Sequence, residues 1–139
     1  MSDHPTRIFI NGFGRIGRAV LRILKQNAAY RDIEIVGLND IEPLETCAYL
    51  FEYDSIFGPY PGEVEVGEKS LTVDGQVIPF HSEKDISILD LSTVDVVLEC
   101  TGMAGKRAFA EHGLEAGAKR VLISGPSGEA ALPILLRTK

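Results

Sequence analysis

The chain alternates short apolar runs with longer amphipathic segments, and this pattern predicts strands and helices in turn. Four nearly continuous apolar runs are typical of strands that are buried on both faces of a parallel sheet. These runs are residues 8–11, 33–38, 94–99 and 121–124. Because strands alternate with helices, the sequence predicts an α/β fold with a doubly wound parallel sheet.

Two amphipathic segments flank these runs as predicted helices. The first covers residues 15–26, where apolar side chains recur at helical spacing. This spacing places Ile16 and Ile23 among the residues packed on the sheet and Arg22 among those facing solvent. A later helix is predicted at residues 105–118.

The region between the second and third apolar runs departs from the alternation. A helix is predicted to begin near Pro43, a residue type favoured in the first helical turn, and to end near Tyr53. Short β-rich pieces follow across residues 63–80, where Asp74-Gly75 is a typical hairpin turn. The sequence therefore predicts a small antiparallel β excursion.

Length, charge and hydropathy exclude several classes of protein. The 139 residues are expected to form a single domain, residues 1–139. A formal net charge of −6 argues against nucleic acid as a partner, since proteins that bind it usually carry a basic face. No apolar run reaches the ~18–20 residues of a membrane span, and the polar start is not a signal sequence. We therefore expect a cytoplasmic protein with no membrane partner.

The cysteines and histidines give no sign of a metal or catalytic centre. Cys47 and Cys100 lie in apolar settings without the paired spacing of a zinc or redox motif. We expect both to be buried, reduced thiols. The three histidines are isolated in sequence and receive no catalytic role.

Three glycines carry the first functional signal. Gly12, Gly14 and Gly17 match G-x-G-x-x-G between a predicted strand and a predicted helix, as in the Rossmann fingerprint. Gly12 allows the sharp turn, Gly14 lets a pyrophosphate approach the backbone, and Gly17 lets the helix lie close to the sheet. The alternative is that the glycines merely form a tight turn.

Other predicted binding residues lie where further strands end. Asp40 follows the second strand at the spacing of an acid that binds the adenine ribose, which favours NAD over NADP. The alternative is that Asn39 and Asp40 cap the next helix. Thr101, Gly102 and Ser124 follow the third and fourth strands, and ligands of parallel sheets bind at such ends.

The motifs together resemble a known family. "INGFGRIGR", "GLND", "TCAYLFEYDSIFG", "LECTG" and "AKRVLISGPS" occur in the order seen in the amino-terminal half of phosphorylating glyceraldehyde-3-phosphate dehydrogenases. Erythrose-4-phosphate dehydrogenases are close relatives. The resemblance covers residues 7–126.

This resemblance implies NAD as the cofactor and extends the set of binding residues. It places the backbone of Arg15 and Ile16 at the pyrophosphate and Lys84 beside the adenine. Ala104 is a departure, because relatives commonly have an aromatic residue there. The cofactor-binding residues predicted in all are Asn11, Gly12, Phe13, Gly14, Arg15, Ile16, Gly17, Asn39, Asp40, Lys84, Thr101, Gly102 and Ser124.

The family's catalytic cysteine lies in a "SCTTNC"-like stretch that these residues do not contain. Neither Cys47 nor Cys100 matches it. We therefore expect an NAD-binding domain that does not turn over alone. The alternatives are a degenerate module with an interaction or regulatory role, or half of a split dehydrogenase. The expected partners are NAD and either a separate catalytic chain or a second copy.

Overall fold

The computed structural model describes residues 4–102, 111–124 and 134–138. Its strands are β1 (Thr6–Asn11), β2 (Ile33–Asn39), β3 (Tyr53–Asp54), β4 (Gly58–Pro59), β5 (Val64–Val66), β6 (Ser70–Val73), β7 (Gln76–His81), β8 (Val96–Glu99), β9 (Arg120–Ser124) and β10 (Ile134–Thr138). Its α-helices are α1 (Arg15–Gln26), α2 (Leu44–Glu52) and α3 (His112–Glu115), and short 3-10 helices cover Ala28–Tyr30 and Ile86–Ile88.

One sheet contains eight of the described strands, in the order β10-β9-β8-β1-β2-β7-β6-β5. Strands β9, β8, β1, β2 and β7 run parallel, and β10 pairs with β9 in the antiparallel sense. The four strands predicted from the apolar runs therefore lie in one sheet, which confirms the α/β prediction. A separate pair, β3 and β4, forms a two-stranded sheet.

The antiparallel excursion is present, and it is continuous with the main sheet. Strands β5, β6 and β7 pair in the antiparallel sense. The end of β7 then lies parallel to β2, with Leu38 opposite Phe80 and Asn39 opposite His81. This pairing brings the chain after β7 to the same sheet edge as the ends of β1 and β2.

The core has a part on each face of the sheet, because side chains of a strand alternate between faces. On β1, Ile10 belongs to a cluster that includes Leu21 of α1 and Phe51 of α2. Its neighbour Phe9 belongs to the other cluster, which includes Val97 of β8. Alternation along one strand thus anchors both layers of the doubly wound fold.

Helix α1 has the predicted bounds, and Val20 and Leu24 pack on the core as their helical spacing predicts, but the rest of the buried face differs from the prediction. Ile16 and Ile23 are 38% and 49% exposed, whereas the buried residues are Gly17, Leu21 and Arg22. The prediction was wrong here because it counted only large apolar side chains. A glycine makes the closest contact with the strand, and an arginine completes the buried face.

Arg22 can be buried because its polar atoms find partners. Its Nη2 donates to the carbonyl oxygens of Phe51 and Gly58 at 3.2 and 2.9 Å. Its guanidinium carbon also lies 5.4 Å from the ring centre of Tyr60, within the range of a cation–π interaction. Arg22 thereby links α1 both to α2, through Phe51, and to the segment after it, through Gly58.

Helix α2 ends at Glu52, next to the predicted end. The helix predicted at residues 105–118 is described only from residue 111, where α3 begins at His112. The rest of that prediction, and Ala104, lie outside the described residues. No described helix combines the length and the apolar character needed to cross a membrane.

Candidate functional site

A cavity of about 440 Å³ opens at the carboxyl ends of the central strands. The chain passes from β1 to β2 on one side and later returns through β8 on the other, and such a reversal of strand order creates a crevice where ligands bind. The described residues lining the cavity are Asn11, Gly12, Gly14, Asn39, Asp40, Ile41, Glu83, Lys84, Cys100 and Thr101.

The three glycines of the first loop have different surroundings. Gly12 has a φ of +98°, and a Cβ there would lie 2.7 Å from the backbone of Cys100 and Thr101. A Cβ on Gly17 would lie 2.4 Å from the carbonyl oxygen of Gly12. Gly14 lines the cavity, and a Cβ added there would have no described atom within 4 Å. Two glycines thus shape the turn, and the third leaves open space at the cavity.

Helix α1 presents its amino terminus at this cavity. Its N-cap residue is Gly14, which has no side chain to accept a bond from the first turn, and no acidic residue follows in that turn. The first N–H groups of a helix carry the positive end of its dipole. An anion at Gly14 would therefore meet backbone donors of Arg15 and Ile16.

Asp40 lies beside this loop at the end of β2. Its Oδ2 accepts the Phe13 N–H at 2.6 Å, and its Oδ1 accepts the Glu42 N–H at 2.8 Å. It does not cap the next helix: α2 follows Pro43, and no side chain caps it. The capping alternative is therefore wrong, and the carboxylate lies at the cavity wall.

Asn39 holds a second loop against the first. Its Oδ1 accepts the Glu83 N–H at 2.9 Å, and its Nδ2 donates to the Glu83 carbonyl oxygen at 2.8 Å. These two bonds hold the loop after β7, which carries Lys84, at the cavity wall. Asn39 itself is 3% exposed, so it positions the wall from beneath.

A buried carboxylate supports the remaining loop. Glu99, at the end of β8, is 0% exposed, and it accepts bonds from Asn11 Nδ2 at 2.9 Å and Thr101 Oγ1 at 2.8 Å. Burial raises the pKa of Glu99, and the donors on Asn11 and Thr101 oppose that effect. Glu99 therefore lies buried behind the residues that line the cavity.

Seven of the predicted binding residues line the cavity: Asn11, Gly12, Gly14, Asn39, Asp40, Lys84 and Thr101. The others lie around it. Phe13 is a core residue, its ring 5.9 Å from that of Phe51. Arg15 and Ile16 are exposed on the first turn of α1. Gly17 packs against the turn, and Gly102 is exposed with a φ of +80°. Ser124 ends β9, one strand beyond β8.

Four residues at or beneath the cavity were not predicted: Ile41, Glu83, Cys100 and Glu99. A signal existed for Glu99, a charged residue within the apolar run "VVLEC". Glu83 gave none, because its contact is made by backbone atoms across 44 positions.

Both cysteines are free thiols, but the expectation that they are buried holds for Cys47 alone. Cys47 is 2% exposed, and burial, followed by the charge of Asp40, raises its pKa to about 12. Cys100 is only half-buried, because it follows β8 where the chain reaches the cavity. It is therefore a wall residue of the candidate site.

Comparisons with family models and curated proteins agree with one another. Residues 6–107 match the model described as glyceraldehyde 3-phosphate dehydrogenase, NAD binding domain. The glyceraldehyde-3-phosphate dehydrogenase of Thermotoga maritima is 48% identical over 124 residues, 87% of this chain and 37% of that protein. That of Chlamydia pneumoniae is 45% identical over 131 residues, 91% of this chain and 38% of its own length. This chain thus spans less than two fifths of the length of these curated relatives.

Proposed function

The chain belongs to the glyceraldehyde-3-phosphate dehydrogenase family as its NAD-binding domain, and from this we propose that the cavity at the ends of β1, β2 and β8 holds the dinucleotide. The observation that carries the proposal is one cavity that joins an uncapped helix terminus at Gly14 to the carboxylate of Asp40. Phosphate groups bind to backbone N–H groups at a helix amino terminus, and ribose hydroxyls donate hydrogen bonds to a carboxylate.

The residues present fit NAD in chemistry and in size. The position that a Cβ would occupy at Gly14 is open space. A phosphate can therefore approach the backbone there without meeting a side chain. A cavity of about 440 Å³ lies within the usual range of ligand sites, roughly 300–1,000 Å³. Ile41, 65% exposed, and the stem of Lys84 offer apolar surface to the adenine. When bound, NAD supplies a hydride acceptor, and these residues hold and orient it.

Asp40 is proposed to select NAD over NADP. Its charge attracts ribose hydroxyls and repels a 2′-phosphate. Replacing Asp40 by Ala should weaken NAD binding by roughly tenfold, about 1.4 kcal/mol, and reduce the preference for NAD to near unity. Calorimetric titration of each protein with NAD and with NADP measures both effects.

Asp32→Ala is the matched control, because Asp32 is an exposed acid at the opposite end of β2. It removes the same charge and should leave both affinities unchanged. Equal binding of NAD and NADP by the wild-type chain would contradict the role given to Asp40. No heat or thermal protection by NAD at several millimolar would contradict the binding site itself.

The activity of the longer protein is a further proposal. The relatives are named as glyceraldehyde-3-phosphate dehydrogenases, which supports oxidation of a phosphorylated aldehyde with NAD as hydride acceptor. The thiols of Cys47 and Cys100 suit a reducing compartment, and we propose a cytoplasmic location, testable by cell fractionation.

We also propose that the surface around α2 is covered by a second copy of the chain. Large apolar side chains are exposed along residues 49–57, among them Tyr53 at 51% and Phe57 at 56%. Monomers rarely expose extended apolar patches. Sedimentation velocity should show reversible dimers at micromolar concentration, and a Tyr53→Ser, Phe57→Ser double variant should be monomeric. A monomer at all concentrations, or a dimer that ignores these substitutions, would exclude this surface.

A further inference from the structure

A chain of buried polar side chains crosses the sheet beneath the cavity. Asn39, Asn11 and Glu99 end the adjacent strands β2, β1 and β8, and they are 3%, 2% and 0% exposed. Burying such groups is costly unless each is hydrogen-bonded. We call these three residues, with the Glu83 backbone at one end and Thr101 at the other, the polar relay.

The direction of every bond in the relay follows from its first member. The backbone of Glu83 offers one N–H and one carbonyl to Asn39, and this fixed pair decides which way the Asn39 amide points. The other hydrogen of Asn39 Nδ2 must then go to Asn11 Oδ1, at 2.8 Å. Asn11 therefore turns its NH₂ group toward Glu99.

Glu99 receives hydrogen-bond donors from both sides. Asn11 Nδ2 lies 2.9 Å from one carboxylate oxygen and 3.2 Å from the other. Thr101 Oγ1 lies 2.8 Å from Oε1 and donates to it. A carboxylate can accept all of these bonds, whereas an amide must turn its own NH₂ group either toward Asn11 Nδ2, which is also a donor, or toward the Thr101 hydroxyl, which would then accept a hydrogen bond instead of donating one.

We propose that Glu99 is the positioning residue of the dinucleotide site, an inference that rests on the proposed function. Its carboxylate holds Asn11 at the glycine loop and keeps the Thr101 hydroxyl hydrogen pointing away from the cavity.

The test exchanges the polarity of the relay. Glu99→Gln keeps the shape but either sets its NH₂ group against Asn11 Nδ2 or forces the Thr101 hydroxyl to accept from it and turn its hydrogen away from position 99. Asn11→Asp sets two carboxylates against each other. In the double variant, the carboxylate introduced at position 11 accepts from Asn39 and from the amide introduced at position 99. The carbonyl oxygen of that amide accepts from Thr101, so every bond is restored. We expect each single variant to weaken NAD binding by about tenfold or more, and the double variant to return to within about threefold of wild type.

Calorimetric titration with NAD and thermal unfolding without ligand are measured on all four proteins. If wild type binds NAD and Glu99→Gln binds it equally well, the role of Glu99 is wrong and the proposed function stands. If wild type binds no NAD, the proposed function fails, and this role with it. Where the single variants do not fold, the double variant decides: recovered binding supports the relay, and unrecovered binding overturns it.

Discussion

Neighbouring residues at the end of β2 have different roles, because Asn39 is the last residue of the strand and Asp40 begins the segment that follows it. Asn39 is buried and bonds to the loop at Glu83. Asp40 lies at the cavity and accepts a bond from the glycine loop through Phe13. Removing Asp40 should therefore affect both the proposed ribose contact and the glycine loop. For this reason the ratio of NAD to NADP affinity is more informative than the NAD affinity alone.

The two thiols should differ in reactivity. The thiolate is the reactive form, and a pKa raised to about 12 by burial leaves Cys47 almost entirely protonated near neutral pH. Cys100 is half-buried at the cavity. We expect iodoacetamide at about pH 8 to modify Cys100 first, and saturating NAD to slow that reaction by about fivefold or more. Peptide mass spectrometry measures both rates.

Cys100→Ser is the control for this labelling. It should leave a folded protein that takes up reagent only when denatured, because Cys47 is then the remaining thiol. Modification of Cys47 before Cys100, or a Cys100 rate that NAD does not change, would contradict the assignment of Cys100 to the cavity wall.

At the scale of the element, different glycines of the same loop are expected to affect the stability of the fold and the binding of NAD. A Cβ at Gly17 would lie 2.4 Å from the Gly12 carbonyl oxygen and 3.0 Å from Ile10 Cγ2, so Gly17→Ala should destabilise the fold by roughly 2–4 kcal/mol. At Gly14 the same change meets no described atom within 4 Å. Gly14→Ala should keep the stability within about 1 kcal/mol and weaken NAD binding by about tenfold or more.

Urea unfolding and NAD titration of the two variants form a matched pair, since each adds one methyl group to the same loop. Equal losses of stability would mean that the loop responds as a unit. Unchanged NAD affinity in Gly14→Ala would place the phosphates elsewhere.

Local patterns predicted those elements whose signal lies within a few residues. The apolar runs predicted four of the five parallel strands, all but β7, and helical spacing together with the glycines predicted α1. The burial of Arg22 could not be read in this way, because it depends on carbonyl groups at Phe51 and Gly58, which are 29 and 36 positions away.

In the candidate site, too, residues with a local sequence signal were predicted and residues placed by distant contacts were not. Gly12, Gly14 and Asp40 were predicted from spacing and line the cavity. Glu83 joins them through a backbone pairing with Asn39, and this pairing follows from β7 lying parallel to β2. Antiparallel pieces in a sequence do not show which strand they will join, so the loop after β7 could not be assigned.

At the scale of the whole molecule, one sheet lies between both core clusters, and on that basis we propose that the chain folds as a single domain. The cavity is built from loops at one edge of this sheet. The proposed phosphate donors are backbone groups at the start of α1, so they are in place once the sheet and the helix have formed. Binding should therefore be a property of the isolated chain.

A protein of these 139 residues should bind NAD weakly and should not oxidise an aldehyde alone. We expect a dissociation constant of about 0.1–1 mM, because the proposed phosphate contacts are local, whereas Ala104 stands where the family resemblance implies an aromatic residue and offers less apolar surface to a ligand. An NAD concentration of about ten times that constant should then raise the free energy of unfolding by about 1.4 kcal/mol.

Turnover requires a nucleophilic thiolate; Cys47 is buried with a pKa of about 12, and neither cysteine matches the family's nucleophile. Thermal shift against NAD concentration and absorbance of NADH with glyceraldehyde 3-phosphate measure the two claims. A full-length relative is the positive control, and NADH formed by the pure chain would show that a residue within it performs the chemistry.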